Sequence, residues 1–214
     1  MFNFKNKYVA LPCLVLSGSI TFGSLAIAGD ENYVFIEQEA WSGGSGNILF
    51  VDQSDAYGSS VAGDKNLLTP ALQSGGGNEA YVTLTGTGGL VLLEQESTGL
   101  GLGTNTATLT GGAYAAITLV QSGINNSGSV IVGPGGNTGA LFQKGEGNDG
   151  EVSVEGTNST GILLQDGNYN SHSLIVNGQD TTVQWNQVGN NVTGVSPAQV
   201  WSNAGTISIT QYSP

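Results

Sequence analysis

The sequence predicts an all-β fold, an amyloid-like β-solenoid of stacked strand–turn–strand repeats of about 22 residues, and three observations predict it. First, 35 glycines and only 9% charged residues in 214 positions exclude a helical bundle, and a hydrophobic content of 38% excludes simple disorder. Second, Gln121, Gln143, Gln165 and Gln187 lie 22 residues apart, as do Gln73 and Gln95, and a fixed period of this length marks stacked units. Third, apolar residues alternate after each glutamine, at Val82 and Leu84, Val130 and Val132, Val152 and Val154, and Leu174 and Val176. A period of two is the period of a strand.

Taken in chain order, residues 1–28 read as a secretory signal peptide. Lys5 and Lys7 form its basic start, an apolar run extends from about Val9 to Ile27, and Ala26-Ile27-Ala28 offers the small side chains of a cleavage site. Pro12 and a Ser/Gly-rich middle argue against a membrane-spanning helix. The mature chain then begins at Gly29 and has no cysteine, because Cys13 leaves with the leader. Its two lysines against 16 acidic residues give a net charge of −14, and so acidic a chain is a poor partner for nucleic acid. Residues 29–66 form an N-terminal segment with degenerate rungs, "YVFIEQ" (33–38) and "NILFVDQ" (47–53).

Residues 67–214 form the repeat block. Four times a glutamine is followed by glycine two residues on and asparagine five residues on: Gln73, Gly75, Asn78; Gln121, Gly123, Asn126; Gln143, Gly145, Asn148; Gln165, Gly167, Asn170. Gln187 with Gly189 begins a fifth copy, whose asparagine moves to Asn190 or Asn191, and Gln95 opens an enlarged loop that delays its asparagine to Asn105. Parity places Ile117, Leu119 and Gln121 on one face, and Asn148, Gly150, Val152 and Val154 on another, with Glu151 and Ser153 outward. The inward set is aliphatic with a Gln and an Asn at its corner. Second turns follow at "EGTNST" (155–160) and "NGQDTT" (177–182). In such a stack, equivalent amides lie about 4.8 Å apart and hydrogen-bond as ladders. The expected ladder residues are Gln73, Asn78, Gln95, Gln121, Asn126, Gln143, Asn148, Gln165, Asn170 and Gln187, with Gly75, Gly123, Gly145, Gly167 and Gly189 supplying the positive φ of the turn. After Gln187, Pro197 and a last strand "TISITQ" (206–211) end the block.

At these residues the chain resembles the curlin-repeat family, the subunits of curli-type bacterial amyloid fibres. The resemblance covers roughly residues 67–192, with a fragment at "GNILFVDQ" (46–53); Leu84, Val132, Val154 and Val176 stand where family repeats usually carry a second glutamine. It implies export through a dedicated outer-membrane pore, nucleation by a partner subunit at the bacterial cell surface, and homopolymeric growth into extracellular fibres for adhesion and biofilm matrix.

Sites of chemistry are sparse, so no enzyme activity and no cofactor or metal is expected. His172, the only histidine, takes the inward place of Ala80, Gly128 and Gly150 and suits packing or a pH response. Glu146, Asp149, Asp166 and Asp180 lack a calcium-repeat spacing, leaving weak cation binding at stacked carboxylates as the alternative. Asn125, Asn158 and Asn191 open glycosylation sequons that read as turns, and Trp185 and Trp201 read as packing. The alternative to a fibre subunit is a monomeric β-solenoid surface adhesin or ice-binding protein, which needs a uniform outward stripe. The outward pairs Tyr81/Thr83, Ser129/Ile131, Glu151/Ser153 and Ser173/Ile175 are mixed, and a β-helix polysaccharide-cleaving enzyme would want basic residues where the mature chain has no arginine.

Overall fold

Glycine-rich turns close strands of alternating inward and outward side chains into a coil. The structure, a computed structural model, describes residues 23–28, 31–39, 45–62, 69–98, 103–194 and 197–213. Most of the leader expected at residues 1–28 therefore lies outside the described residues.

Among the described residues twenty strands follow one another: β1 (Gly23–Ala28), β2 (Tyr33–Val34), β3 (Ile36–Glu39), β4 (Ile48–Gln53), β5 (Ala56–Tyr57), β6 (Ser60–Ala62), β7 (Ala71–Ser74), β8 (Glu79–Leu84), β9 (Gly86–Thr87) and β10 (Leu90–Ser97) make the first half. The second half holds β11 (Thr106–Gly111), β12 (Ala116–Ile124), β13 (Ser127–Val132), β14 (Thr138–Glu146), β15 (Asp149–Thr157), β16 (Thr160–Asp166), β17 (Ser171–Gln179), β18 (Thr181–Val188), β19 (Ala198–Ser202) and β20 (Gly205–Tyr212). Among the described residues there is no helix.

Apart from β5 and β9, which pair with each other, the strands fall into two parallel sheets. Sheet A has the order β1-β4-β8-β11-β13-β15-β17-β19, and sheet B the order β2-β6-β10-β12-β14-β16-β18-β20, with β3 and β7 completing its first two rungs. Every neighbouring pair is parallel, and from β10 onward paired strands are separated by one intervening strand in sequence, so the chain winds as a β-solenoid. The 22-residue period is one turn: Gln121 pairs with Gln143, Gln143 with Gln165, and Gln165 with Gln187.

The core is a thin apolar layer between the sheets. Sheet A supplies Val82, Leu109, Val130, Val152 and Leu174, and sheet B supplies Leu93, Leu119, Leu141 and Leu163, all fully buried. Each such side chain contributes about 1.5–3 kcal/mol by leaving water. Bulk on one sheet is matched by its absence on the other: a β-carbon on Gly139 would lie 2.6 Å from Val132, and one on Gly128 would lie 2.9 Å from Leu119. The fold expected from sequence is thus the fold observed, with the outward residues Tyr81, Ile131 and Glu151 exposed as parity required.

At the N-terminal end, β1 runs parallel to β4, with Ala26 beside Val51. The final residues of the segment read as a leader therefore form the outermost strand of sheet A, whereas the outermost strands of sheet B, β2 and β3, follow Gly29.

Candidate functional site: two amide ladders and the ends of the stack

Strand alternation puts one glutamine per rung at the inner corner of sheet B, where it must find hydrogen bonds away from water. It finds them above and below. Nε2 of each glutamine donates to Oε1 of the next, from Gln38 to Gln73, Gln95, Gln121, Gln143, Gln165, Gln187 and Gln211, at 2.5 to 3.2 Å. The amides are oriented by the backbone: Nε2 also donates across the core to the carbonyl of Ile48 from Gln73, Thr106 from Gln121, Ser127 from Gln143 and Asp149 from Gln165, at 2.8 to 2.9 Å. Only nitrogen can face those carbonyls, so every amide points the same way.

The asparagine column lines the turn between the sheets. Asn47, Asn78, Asn105, Asn126, Asn148 and Asn170 are all fully buried. The Oδ1 of Asn126 accepts from both the backbone N–H and Nδ2 of Asn148 at 3.1 Å, while Asn148 Nδ2 also donates to the Gly167 carbonyl at 2.9 Å. Here the donors point towards the N-terminal end of the stack, opposite to the glutamines, so the two columns of amide dipoles oppose one another. The turn glycine is required twice over. Gly145 has φ 117°, and a β-carbon there would sit 2.0 Å from the Gly167 carbonyl oxygen of the next rung.

All ten expected ladder residues therefore lie in the two columns, and sequence reasoning missed further members. Among the described residues Gln38 and Gln211 are the first and last rungs of the glutamine ladder, and Asn47 opens the asparagine ladder. Asn105, expected to be displaced by an enlarged loop, keeps its place, donating through Nδ2 to Asn78 Oδ1 at 3.1 Å. A second polar column at the opposite corner also went unread. Asn137 Oδ1 accepts from the backbone N–H of Ser159 at 2.9 Å, Ser159 Oγ donates to the Gly178 carbonyl at 3.1 Å, and Thr181 Oγ1 donates to that of Ser202 at 3.0 Å. Residues 137, 159 and 181 are also 22 apart; the changing residue type hid the repeat.

The asparagine ladder stops at Asn170. The next equivalent place belongs to Val192, whose backbone N–H donates to Asn170 Oδ1 at 2.9 Å, while Asn190 instead continues the outer place of Asn168. The expected shift of asparagine to 190 or 191 is thus a substitution at an unshifted position. Beside it, His172 is 2% exposed, stacks on Trp185 with ring centroids 4.2 Å apart, and has no hydrogen-bond partner at either nitrogen. Burial lowers its pKa from the usual histidine value. Trp185 is packing as expected, but Trp201 is 75% exposed on the end strand. Gln53 is fully buried in β4 without a partner for either amide atom, because its column continues as Leu84, Gly111, Val132 and Val154.

The glutamine ladder is a row of aligned donors and acceptors that runs from β3 to β20, whereas the asparagine ladder runs from Asn47 to Asn170. Among the described residues no three His, Cys, Asp or Glu side chains come together to hold a metal ion. Comparison with family models, with curated proteins and with solved structures finds no match to this chain.

Proposed function

We propose that this chain is a secreted structural subunit that self-assembles, end to end, into extracellular curli-like amyloid fibres serving adhesion and biofilm matrix. An outer-membrane export pore and a nucleating subunit would be its partners. The reading is supported above all by the match between the two ends of sheet B. The inward columns run Val34, Val61, Val91 through Val183 to Ile207; Ile36, Ala71, Leu93 through Trp185 to Ile209; and Gln38 through Gln187 to Gln211. Stacking β20 of one copy on β2 and β3 of the next sets Ile207 on Val34, Ile209 on Ile36 and Gln211 on Gln38, aliphatic on aliphatic and amide on amide. An open strand edge templates such an addition.

Electron microscopy and fibre diffraction of the purified chain starting at Gly29 test the reading. The expected result is unbranched filaments with a meridional spacing of about 4.8 Å. Incubation for days at high concentration, with enough salt to screen the −14 charge, that leaves only monomer would refute it and favour the monomeric adhesin or ice-binding reading.

A further inference from the structure

The two outer faces of the solenoid differ. Sheet A presents Thr106, Thr108 and Thr110, the serines of β13 and β17, and Asp149 and Glu151. Sheet B presents half-buried apolar side chains in one column, Leu72, Val120, Phe142 and Leu164, broken by the exposed Glu94. A hollow of about 480 Å³ opens over Leu72, Leu92 and Val120. In the neighbouring column stand Glu96 and Lys144, both exposed, and Lys144 is the only lysine or arginine among the described residues.

We infer that this face of sheet B is the contact between two copies lying in laterally paired stacks. The inference rests on the fibre reading. Charge and shape choose a second copy over other occupants. A two-fold axis parallel to the strands and passing over β12 exchanges β10 with β14 and β7 with β16. It brings Val120 against its own equivalent, Leu164 against Leu72 of the second copy, and the Phe142 ring over the Glu94 stem of the second copy, beside the hollow, with the Glu94 carboxylate left at the rim. The same operation sets Lys144 opposite Glu96 of the second copy, pairing the face's one cation with a carboxylate. Such an isologous contact is complementary to itself without further change.

Area explains why the contact belongs to filaments. Five strands about 4.8 Å apart, each with about three outward residues, make a patch of roughly 400 Å². A stable dimer buries about 800 Å² on each partner. One copy is therefore too small to dimerise, whereas a stack repeats the patch once per copy and sums the contacts.

Three variants, Phe142→Asp, Lys144→Glu and the exchange Lys144→Glu with Glu96→Lys, are incubated as full secreted chains beside wild type. Filament mass per length is read by scanning transmission electron microscopy. Circular dichroism of each variant checks that the outward changes leave the β-fold intact. Wild type is expected to carry twice the mass per length of a single stack, Phe142→Asp and Lys144→Glu half the wild-type value, and the exchange the wild-type value again. Wild-type filaments of single-stack mass, or paired filaments that survive Phe142→Asp, overturn the inference while leaving the fibre reading intact. A wild type that forms no filament overturns both. Flotation with phosphatidylcholine vesicles closes the test: binding lost in Phe142→Asp without change in pairing assigns the face to lipid and overturns the inference.

Discussion

At the scale of single residues, burial decides which amides matter. Gln143 is 2% exposed between Gln121 and Gln165, so Gln143→Ala strands a donor on one side and an acceptor on the other. Each unsatisfied buried group costs about 1–3 kcal/mol. Glu151 is exposed and accepts one bond from Ser173. Assembly kinetics at one concentration and salt should show Gln143→Ala slowed strongly and Glu151→Ala unchanged or faster, since it removes charge from an acidic chain. Gln53 supplies the opposite case. Both its amide atoms are buried without partners, in an otherwise aliphatic column, so Gln53→Leu should raise stability by about 1–3 kcal/mol in urea unfolding. His172 gives the pH dependence. Its buried imidazole is held below its usual pKa, and its inward neighbours Gly150, Trp185 and Gly194 carry no charge, while Asp149 and Glu151 face outward. The unfolded chain takes up a proton near pH 6.5 when the folded chain does not. Stability is therefore full above that pH and falls as pH drops through the depressed folded value. Thermal unfolding at pH 7.5 and 5 should show a loss in wild type that is smaller in His172→Leu.

At the scale of elements, the end strand β20 separates folding from assembly. The backbone N–H of Ser213 donates to the Val188 carbonyl, so odd-numbered residues of β20 face β18 and even-numbered ones face the open edge. Thr210→Pro therefore removes an edge donor while keeping the backbone pairing with β18, at the loss of one exposed side-chain bond from Asn186 Nδ2, and proline is tolerated on an edge strand. The variant should keep the β-sheet circular dichroism of wild type. Its filament elongation should fall at least about tenfold, equivalent to about 1.4 kcal/mol from the lost bond and the obstructing ring. Equal elongation by Thr210→Pro and wild type would place growth away from β20. The ladders also show where sequence is readable. Gln121, Gln143 and Gln165 repeat in type and spacing, so their column was evident. Asn105 sat behind a longer turn, and 137, 159 and 181 changed from Asn to Ser to Thr, so equivalence there became visible only in the strand register.

At the scale of the whole molecule, the two sheets do not end alike. β1 lies within the segment read as a leader, so a chain beginning at Gly29 has β4 as the first strand of sheet A while sheet B still starts at β2 and β3. In the proposed assembly sheet B carries the joint between copies, because that is where the inward residues of the two ends match. Mass spectrometry of exported protein should find Gly29 as the first residue; retention of Met1 would contradict the leader.

The sequence by itself determined the period, the strand character and the inward or outward sense of most side chains, because a two-residue alternation and a 22-residue repeat are local properties of the chain. Tertiary structure alone decided what depends on the meeting of distant rungs. It fixed the opposed directions of the two ladders, because the glutamine Nε2 groups donate to backbone carbonyls of the other sheet and the asparagine Nδ2 groups to those of turn glycines such as Gly145 and Gly167. It gave Val192 the place expected of asparagine, because the backbone N–H donates the same bond whatever the side chain. It also gathered Leu72, Val120, Phe142 and Leu164 into one column on sheet B with Glu94 between the first two, since residues 22 to 26 positions apart become neighbours only when the coil closes.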